Sequence, residues 1–235
     1  MQAIILAGGK GTRLRPYTVV FPKPLMPIGD YPILEVIIRQ LKNHGFDNII
    51  MAVGHLKQLM QAFFEDGKLW DVKISYSVEE KPLGTAAPLQ LVKNCQDDFL
   101  VMNGDVLTNL PFDDFFRYHK DNDAVCTIAS YNKPVKIDLG ILKANANNEL
   151  FDYIEKPTLH YSVSMGVYAF KKEVLNYIPV NAYFDFPDLI KKLLENGKKV
   201  LQYPFDGYWL DIGRPEDYEV AIEEFEKHKS EFLEE

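Results

Sequence analysis

"MQAIILAGGKGTRLRP", residues Met1 to Pro16, decides how the rest of the chain is read. The apolar run Ala3–Leu6 is a buried strand, and the glycine-rich basic loop after it begins at once. Glycine has no Cβ, so a ligand can approach the main chain there. Exposed N–H groups on such a loop, beside Lys10, Arg13 and Arg15, suit phosphate. Two familiar phosphate loops do not fit. From Gly8 the P-loop pattern lacks its second glycine and its Lys-Ser/Thr pair. The dinucleotide fingerprint starts at Gly9 and Gly11 but meets Leu14 where the third glycine belongs. The alternative reading is a solvated glycine turn.

The chain has 235 residues, of which 47% are hydrophobic and 26% charged, enough for a sizeable core in one large α/β domain. Net charge is −8, so a broad nucleic-acid face is not expected and any anion site must be a local cluster of Lys and Arg. Cys95 and Cys126 have neither metal-site nor CxxC spacing, and their number leaves a disulfide open. The first apolar run is short and leads into the glycine loop, unlike a signal peptide. No apolar stretch approaches the roughly 18 residues of a membrane helix. A cytoplasmic protein with no membrane partner is the expectation.

Hydrophobic period alternates along the first half. "NIIMAVG", "VKISYSV" and "DFLVMNGD" read as strands after the first. "PILEVIIRQLKNHG" and "LKQLMQAFFEDG" have helical spacing, and "TAAPLQLVKN" reads as a helix despite Pro88. This β-α-β-α-β-α-β order predicts a predominantly parallel, Rossmann-like sheet with helices on both faces. The second half is strand-rich, with "AVCTIASY", "LGILKAN", "LFDYIEKP", "SVSMGVYAFK", "VLQYPF" and "YWLDIG". A helix is expected around Phe186–Glu195, and an acidic helix over "PEDYEVAIEEFEKHKSEFLEE" with Pro215 in its first turn. The expectation is a single domain: about residues 1–110 for nucleotide binding, and about 111–235 as a β-rich insertion for sugar phosphate. Ligands of open parallel sheets bind beyond the carboxyl ends of strands. Gly8–Arg13, Asn103-Gly104-Asp105 and "PLGTA" all fall at such ends.

"LAGGKGTRLRPYT", "PKPLMPIGDYPILE", "EEKPLGTA", "NGD", "EKP" and "YWLDIGRPEDY" occur in that order. With these motifs the chain resembles the sugar-1-phosphate nucleotidylyltransferases (NDP-sugar pyrophosphorylases) over nearly its whole length, in particular the mannose-1-phosphate guanylyltransferase-like branch. The resemblance implies nucleotidyl transfer from a nucleoside triphosphate to a hexose or heptose 1-phosphate, giving NDP-sugar and pyrophosphate. The sugar-phosphate nucleophile is already ionised near neutral pH. Alignment and charge neutralisation therefore replace a catalytic base. A nucleotide-sugar-sensing regulatory subunit on the same fold is the alternative from another class.

Roles follow from the resemblance. Leu6, Ala7, Gly8, Gly9, Gly11 and Thr12 would hold the nucleotide, with Pro82, Gly84, Thr85, Asn103 and Gly104. Arg13 would stabilise departing pyrophosphate, and Lys23 of "PKP" would neutralise charge at the α-phosphate. Asp105 and Asp211 match the family's metal-binding aspartates, and Mg²⁺ is the expected cofactor. Glu155 and Lys156 would face the sugar phosphate, with Gly140 closing against the sugar. Ser164 stands where the family's "NAGIY" version has asparagine. None of the five histidines has metal spacing.

Glu79 occupies the position where the family often places a base-reading side chain, commonly Gln in thymidylyl- and uridylyltransferases. Ionised Glu only accepts hydrogen bonds. Guanine presents two neighbouring donors, so GTP is the expected nucleotide, with dTTP, UTP or CTP as alternatives. Glu80 beside it is the alternative reader. The sequence leaves a homo-oligomer open.

Overall fold

In the computed structural model, which describes residues 1–233, the alternating apolar residues of the first strand serve two cores at once. Ala3, Ile5 and Ala7 point to one face of a central sheet, and Ile4 to the other. The elements in order are β1 (Gln2–Ala7), a two-residue ribbon β2 (Pro27–Ile28) and β3 (Tyr31–Pro32), α1 (Ile33–Asn43), β4 (Asn48–Val53), α2 (Lys57–Phe64), β5 (Lys73–Val78), β6 (Asp98–Asn103), β7 (Val106–Thr108) and α3 (Phe112–Asp121). Then come β8 (Cys126–Lys136), β9 (Ile141–Ala144), β10 (Leu150–Ile154), β11 (Thr158–Lys171), α4 (Phe186–Glu195), β12 (Val200–Phe205), β13 (Trp209–Asp211), α5 (Pro215–Lys227) and α6 (Lys229–Phe232).

Seven strands form the central sheet in the order β12-β8-β11-β6-β1-β4-β5. All run parallel except β11, which is antiparallel to both neighbours. From β1 the chain builds outward through β4 and β5, then returns to place β6 on the other side of β1. That reversal opens a crevice at the carboxyl ends of β1 and β6, the usual position of a ligand in such sheets. Side chains of α1, α2, α3 and α5 fill one face, with Val36, Ile37, Phe64, Phe115 and Phe225 in the core. The other face is covered by α4 through Phe186, Leu189 and Leu193. No helix among the described residues is long and apolar enough to cross a membrane.

Beyond Ser164 the register of β11 on β8 shifts, and the two strands continue as a ribbon pairing Ser164–Thr158 with Ser130–Lys136. The β9–β10 hairpin joins its ends. This is the β-rich part expected from the second half of the sequence.

Several local expectations are corrected. "TAAPLQLVKN" forms only a 3₁₀ turn over Ala87–Leu91. The amides of Ala86 and Ala87 donate to the Phe184 carbonyl at 3.0 and 3.1 Å, so the segment is held by a distant strand of chain instead of winding as an α-helix. An unforeseen helix, α3, follows Pro111; Phe112, Phe115, Phe116 and His119 recur at helical spacing on its buried side. The acidic C-terminal segment breaks at His228 into α5 and α6, which lets Phe232 stack on Phe225 at 5.9 Å. Its last two residues, Glu234 and Glu235, lie outside the described residues. Both cysteines are buried free thiols.

His119 is fully buried, with Nδ1 2.8 Å from the Thr127 hydroxyl and Nε2 3.5 Å from Asp98. Burial is the main cause that drives its pKa from 6.5 down to about 4, against the pull of Asp98. The imidazole is therefore neutral in the fold at pH 7, and the unfolded chain takes up the proton first as pH falls. This contribution to stability is complete above the unfolded value of 6.5 and disappears between there and about 4. Urea melts across that window should show a loss of stability that is shallower in His119→Gln; identical slopes would contradict the assignment.

Candidate active site

The crevice is a cavity of about 810 Å³ floored by the strand ends. The nucleotide-side residues expected from sequence, Leu6, Ala7, Gly8, Gly9, Gly11, Thr12, Glu79, Pro82, Gly84, Thr85, Asn103 and Gly104, all line it. So do Arg13, Lys23 and Asp105. After β1 the chain leaves the sheet through Gly8 and turns at Gly11. The Thr18 hydroxyl and the Leu14 amide both donate to the Gly11 carbonyl, at 2.6 and 2.9 Å. Leu14 is fully buried and anchors the far end of the loop, while Arg13 stays exposed beside it. On its other side the loop is tied to its neighbours: His55 N donates to Gly8 O at 3.2 Å, and Gly104 N to Leu6 O at 3.0 Å.

A charged cluster stands at one end of the cavity. Lys23 lies on a short 3₁₀ turn, Lys23–Leu25, and is 8% exposed. Its Nζ forms an ion pair with Asp105 Oδ2. Asp105 follows β6, and pairing of β7 with β13 sets Asp211 opposite Val106, next to it. Ile212 N donates to Asp105 O at 3.1 Å and fixes this crossing. Burial raises the Asp211 carboxyl above its ordinary pKa, and the Asp105 charge raises it further; Lys23 and Arg13 oppose both. Gly213 completes the cluster: a Cβ there would stand 3.1 Å from the Arg13 guanidinium and 3.2 Å from Asp211 Oδ2. All four charged residues are legible in the sequence, but it is the β7–β13 ribbon that brings Asp211 to Asp105.

The donor set fits a magnesium ion. Asp105 Oδ1 is buried with no hydrogen-bond partner, and two carboxylates face each other's charge. Among the described residues no group of three or more His, Cys, Asp or Glu forms a ready cation cage. One or two carboxylates with the remaining ligands from phosphate and water is the usual magnesium arrangement in phosphoryl-transfer sites.

At the opposite end, β5 delivers Glu79. Its carboxylate sits over the backbones of Gly8 and Gly54, where an added Cβ would lie 2.6 and 2.7 Å from Oε1. Glycine at these two strand ends makes the slot. Oε2 accepts from Leu83 N at 3.3 Å. Burial raises the Glu79 pKa, and the Leu83 bond partly offsets that. Glu80 also borders the cavity but is exposed. Tyr183 and Asp185, just before α4, form part of the wall, and neither was singled out from sequence. They come from the half of the chain assigned to the sugar, so no local motif marks them.

The sugar-side residues stand apart from this cavity; none of Gly140, Glu155, Lys156 or Ser164 lines it. Gly140 lies hard against the Tyr153 ring, and the Tyr153 hydroxyl donates to Glu155 at 2.7 Å. Lys156 has a positive φ of 43° and sits 3.9 Å from Glu155, with both side chains more than half exposed. Ser164 Oγ donates to the Tyr168 hydroxyl at 3.0 Å and accepts from Gly166 N at 3.3 Å, at the register shift of β11.

Known proteins resemble this chain in sequence and fold. A Synechocystis UTP–glucose-1-phosphate uridylyltransferase is 34% identical over 94% of this chain and 62% of its own length. A fission-yeast (Schizosaccharomyces pombe) mannose-1-phosphate guanyltransferase is 33% identical over 99% of this chain and 68% of its own. The chain thus spans about three fifths of the first of these relatives. A Bacillus anthracis crystal structure, provisionally named a glucose-1-phosphate thymidylyltransferase and holding sucrose, superposes with a TM-score of 0.76 at 25% identity, covering 95% of this chain and 94% of that one. The nucleotidyl transferase family profile matches residues 2–228, and this chain belongs to that family.

Proposed function

We propose that the protein transfers a nucleoside monophosphate from a nucleoside triphosphate to a sugar 1-phosphate, releasing pyrophosphate. The observation that carries this reading is that Arg13, Lys23 and Asp105 line a glycine-rich cavity and Asp211 stands beside Asp105 behind them. Relatives named for this reaction with glucose and mannose 1-phosphates support it.

In the proposed reaction an oxygen of the sugar phosphate attacks the α-phosphorus. The bond from that phosphorus to the bridging oxygen breaks, and pyrophosphate leaves with the electron pair. No proton need be removed, so alignment and charge neutralisation suffice without a catalytic base. Backbone N–H groups of the glycine loop hold the triphosphate. Arg13 neutralises charge accumulating on the β- and γ-phosphates. Lys23 supplies a compact charge to the α-phosphate. Asp105 and Asp211 would hold Mg²⁺, which when bound neutralises phosphate oxygens and favours in-line geometry. On the acceptor side, Gly140, Glu155, Lys156 and Ser164 are proposed to receive the sugar phosphate from the β-rich arm, with hexose or heptose as the sugar class.

For the base the proposal is GTP. The names of relatives point in different directions, and Glu79 carries the choice. Its placement in the glycine slot, with Glu80 out in solvent, favours Glu79 as the reader. A carboxylate accepts from the N1–H and exocyclic amine of guanine together, and such charge-assisted bonds are strong. Uracil and thymine present a donor beside an acceptor, which a carboxylate repels. With the preferred sugar phosphate, GTP should give the highest kcat/KM of the four nucleotides. Glu79→Gln should reduce its advantage over UTP by about 10-fold or more, the scale of one charged hydrogen bond. Turnover with UTP or dTTP and none with GTP would overturn the base choice and leave the reaction class standing.

A further inference from the structure

The loop that walls the base end of the cavity is held from the far half of the chain. Thr85 N and Oγ both donate to Asp185 Oδ1, at 2.8 and 2.9 Å. Phe186 N donates back to Thr85 Oγ at 2.9 Å. On either side of this knot the backbones are stitched together, with Phe184 N to Leu83 O at 2.8 Å and Ala86 N to Phe184 O at 3.0 Å. Gly84 has a φ of +89°, and a Cβ there would stand 2.6 Å from Phe184 O and 2.9 Å from Asp185 Oδ1. The two segments therefore touch with no slack. The second carboxylate oxygen is occupied as well, accepting from the Tyr183 hydroxyl at 2.8 Å.

We infer that Asp185 is a positioning residue for nucleotide recognition, setting the Glu79–Thr85 loop against the base while making its own bonds to the protein. The inference rests on the proposed function. Asp185 borders the cavity, but three of a carboxylate's roughly four acceptor positions are already used by Thr85 and Tyr183. Little capacity remains for a ligand. Burial raises its pKa, yet the bonds from Tyr183 and Thr85 outweigh this and hold the carboxyl below the usual range, so it is ionised near neutral pH. A purely structural helix cap would bond to the first amides of its own helix. Asp185 makes no such side-chain bond at the start of α4 and spends its oxygens on the loop and on Tyr183. Leu83, in the middle of that loop, donates to Glu79 Oε2. The chain of bonds thus runs from Asp185 through the loop to the proposed base reader. Small displacements there matter, since hydrogen bonding to a base weakens steeply with misalignment.

Calorimetric titration with Mg²⁺·GTP and Mg²⁺·UTP, without sugar phosphate, tests this directly. Asp185→Ala should weaken binding of the nucleotide preferred by the wild type by about 10-fold and erase most of the preference, the scale expected when a charged hydrogen-bond acceptor is lost. With sugar phosphate supplied, KM for the nucleotide should rise while kcat at saturation stays within about 3-fold, because no phosphate-neutralising group has moved. Asp185→Asn keeps an Oδ1 acceptor for both Thr85 donors and should restore the preference. Thr85→Val, which deletes only the hydroxyl bridge, should shift the preference the same way by a smaller factor and covers the case of an unstable alanine variant. Unchanged preference in Asp185→Ala and Thr85→Val, or an equal loss for both nucleotides that tracks a lowered Tm, overturns the positioning role alone. A wild-type protein that binds neither nucleotide overturns the proposed function with it.

Discussion

Arg13→Ala should lower kcat by about 100- to 1,000-fold, the loss seen when one group that stabilises developing charge is removed. Folding should be untouched. Arg13 is exposed on the glycine loop, and the loop is anchored by Leu14 and by the bonds to Gly11, not by the guanidinium. Its position beside Gly213 and Asp211 aims it at the charged end of the cavity, where the proposed reaction releases pyrophosphate. Single-turnover kinetics and thermal melts on the same preparation check both halves of the expectation. A variant with wild-type turnover removes Arg13 from the mechanism.

Asp211→Asn should move activity and stability in opposite directions. Burial and the neighbouring Asp105 raise the folded pKa of Asp211, so the folded state holds its proton more tightly than the unfolded chain does. By linkage, stability falls as pH rises through the interval between the unfolded and the raised folded value, and the penalty is present in full above it. Asparagine carries no charge and removes that penalty. At pH 7.5 without Mg²⁺ the variant should melt at or above the wild-type temperature. Its kcat/KM should nonetheless fall by about 100-fold or more, since one of two carboxylates that would hold the metal has gone. Such a trade between stability and activity is common where like charges are gathered for function. A lower Tm with activity retained would show Asp211 to be a structural acid.

Legibility in the sequence followed the range of the interactions. The glycine loop and its strand are local, so Gly8 to Arg13 pointed to phosphate from residue types alone, with a solvated glycine turn as the other reading. The short, almost continuously apolar runs of β1, β4 and β6, separated by segments of helical spacing, likewise made a parallel sheet readable. Long-range pairing was not readable. Asp105 and Asp211 meet because β13 lies antiparallel to β7, and nothing in "NGD" or "WLDIG" states that register. The same holds for Asp185, whose partner Thr85 is 100 positions away, and for the Phe184 carbonyl beside it, which takes the amides of Ala86 and Ala87 and leaves only a 3₁₀ turn where "TAAPLQLVKN" reads as a helix. Helix α3 was within reach, since its buried residues fall at i, i+3, i+4 and i+7. The acidic and basic residues between them masked the pattern.

Nucleotidyl transfer is decided by following its two products together. Purified protein with Mg²⁺ is supplied with each of four nucleoside triphosphates crossed with a panel of hexose and heptose 1-phosphates, and pyrophosphate release is followed with mass identification of the nucleotide product. Pyrophosphate is expected only when both substrates and Mg²⁺ are present, in equal amount to an NDP-sugar, and fastest with GTP. Protein shown to be folded that yields no NDP-sugar with any pair, or that releases phosphate from the triphosphate without needing a sugar phosphate, would contradict it.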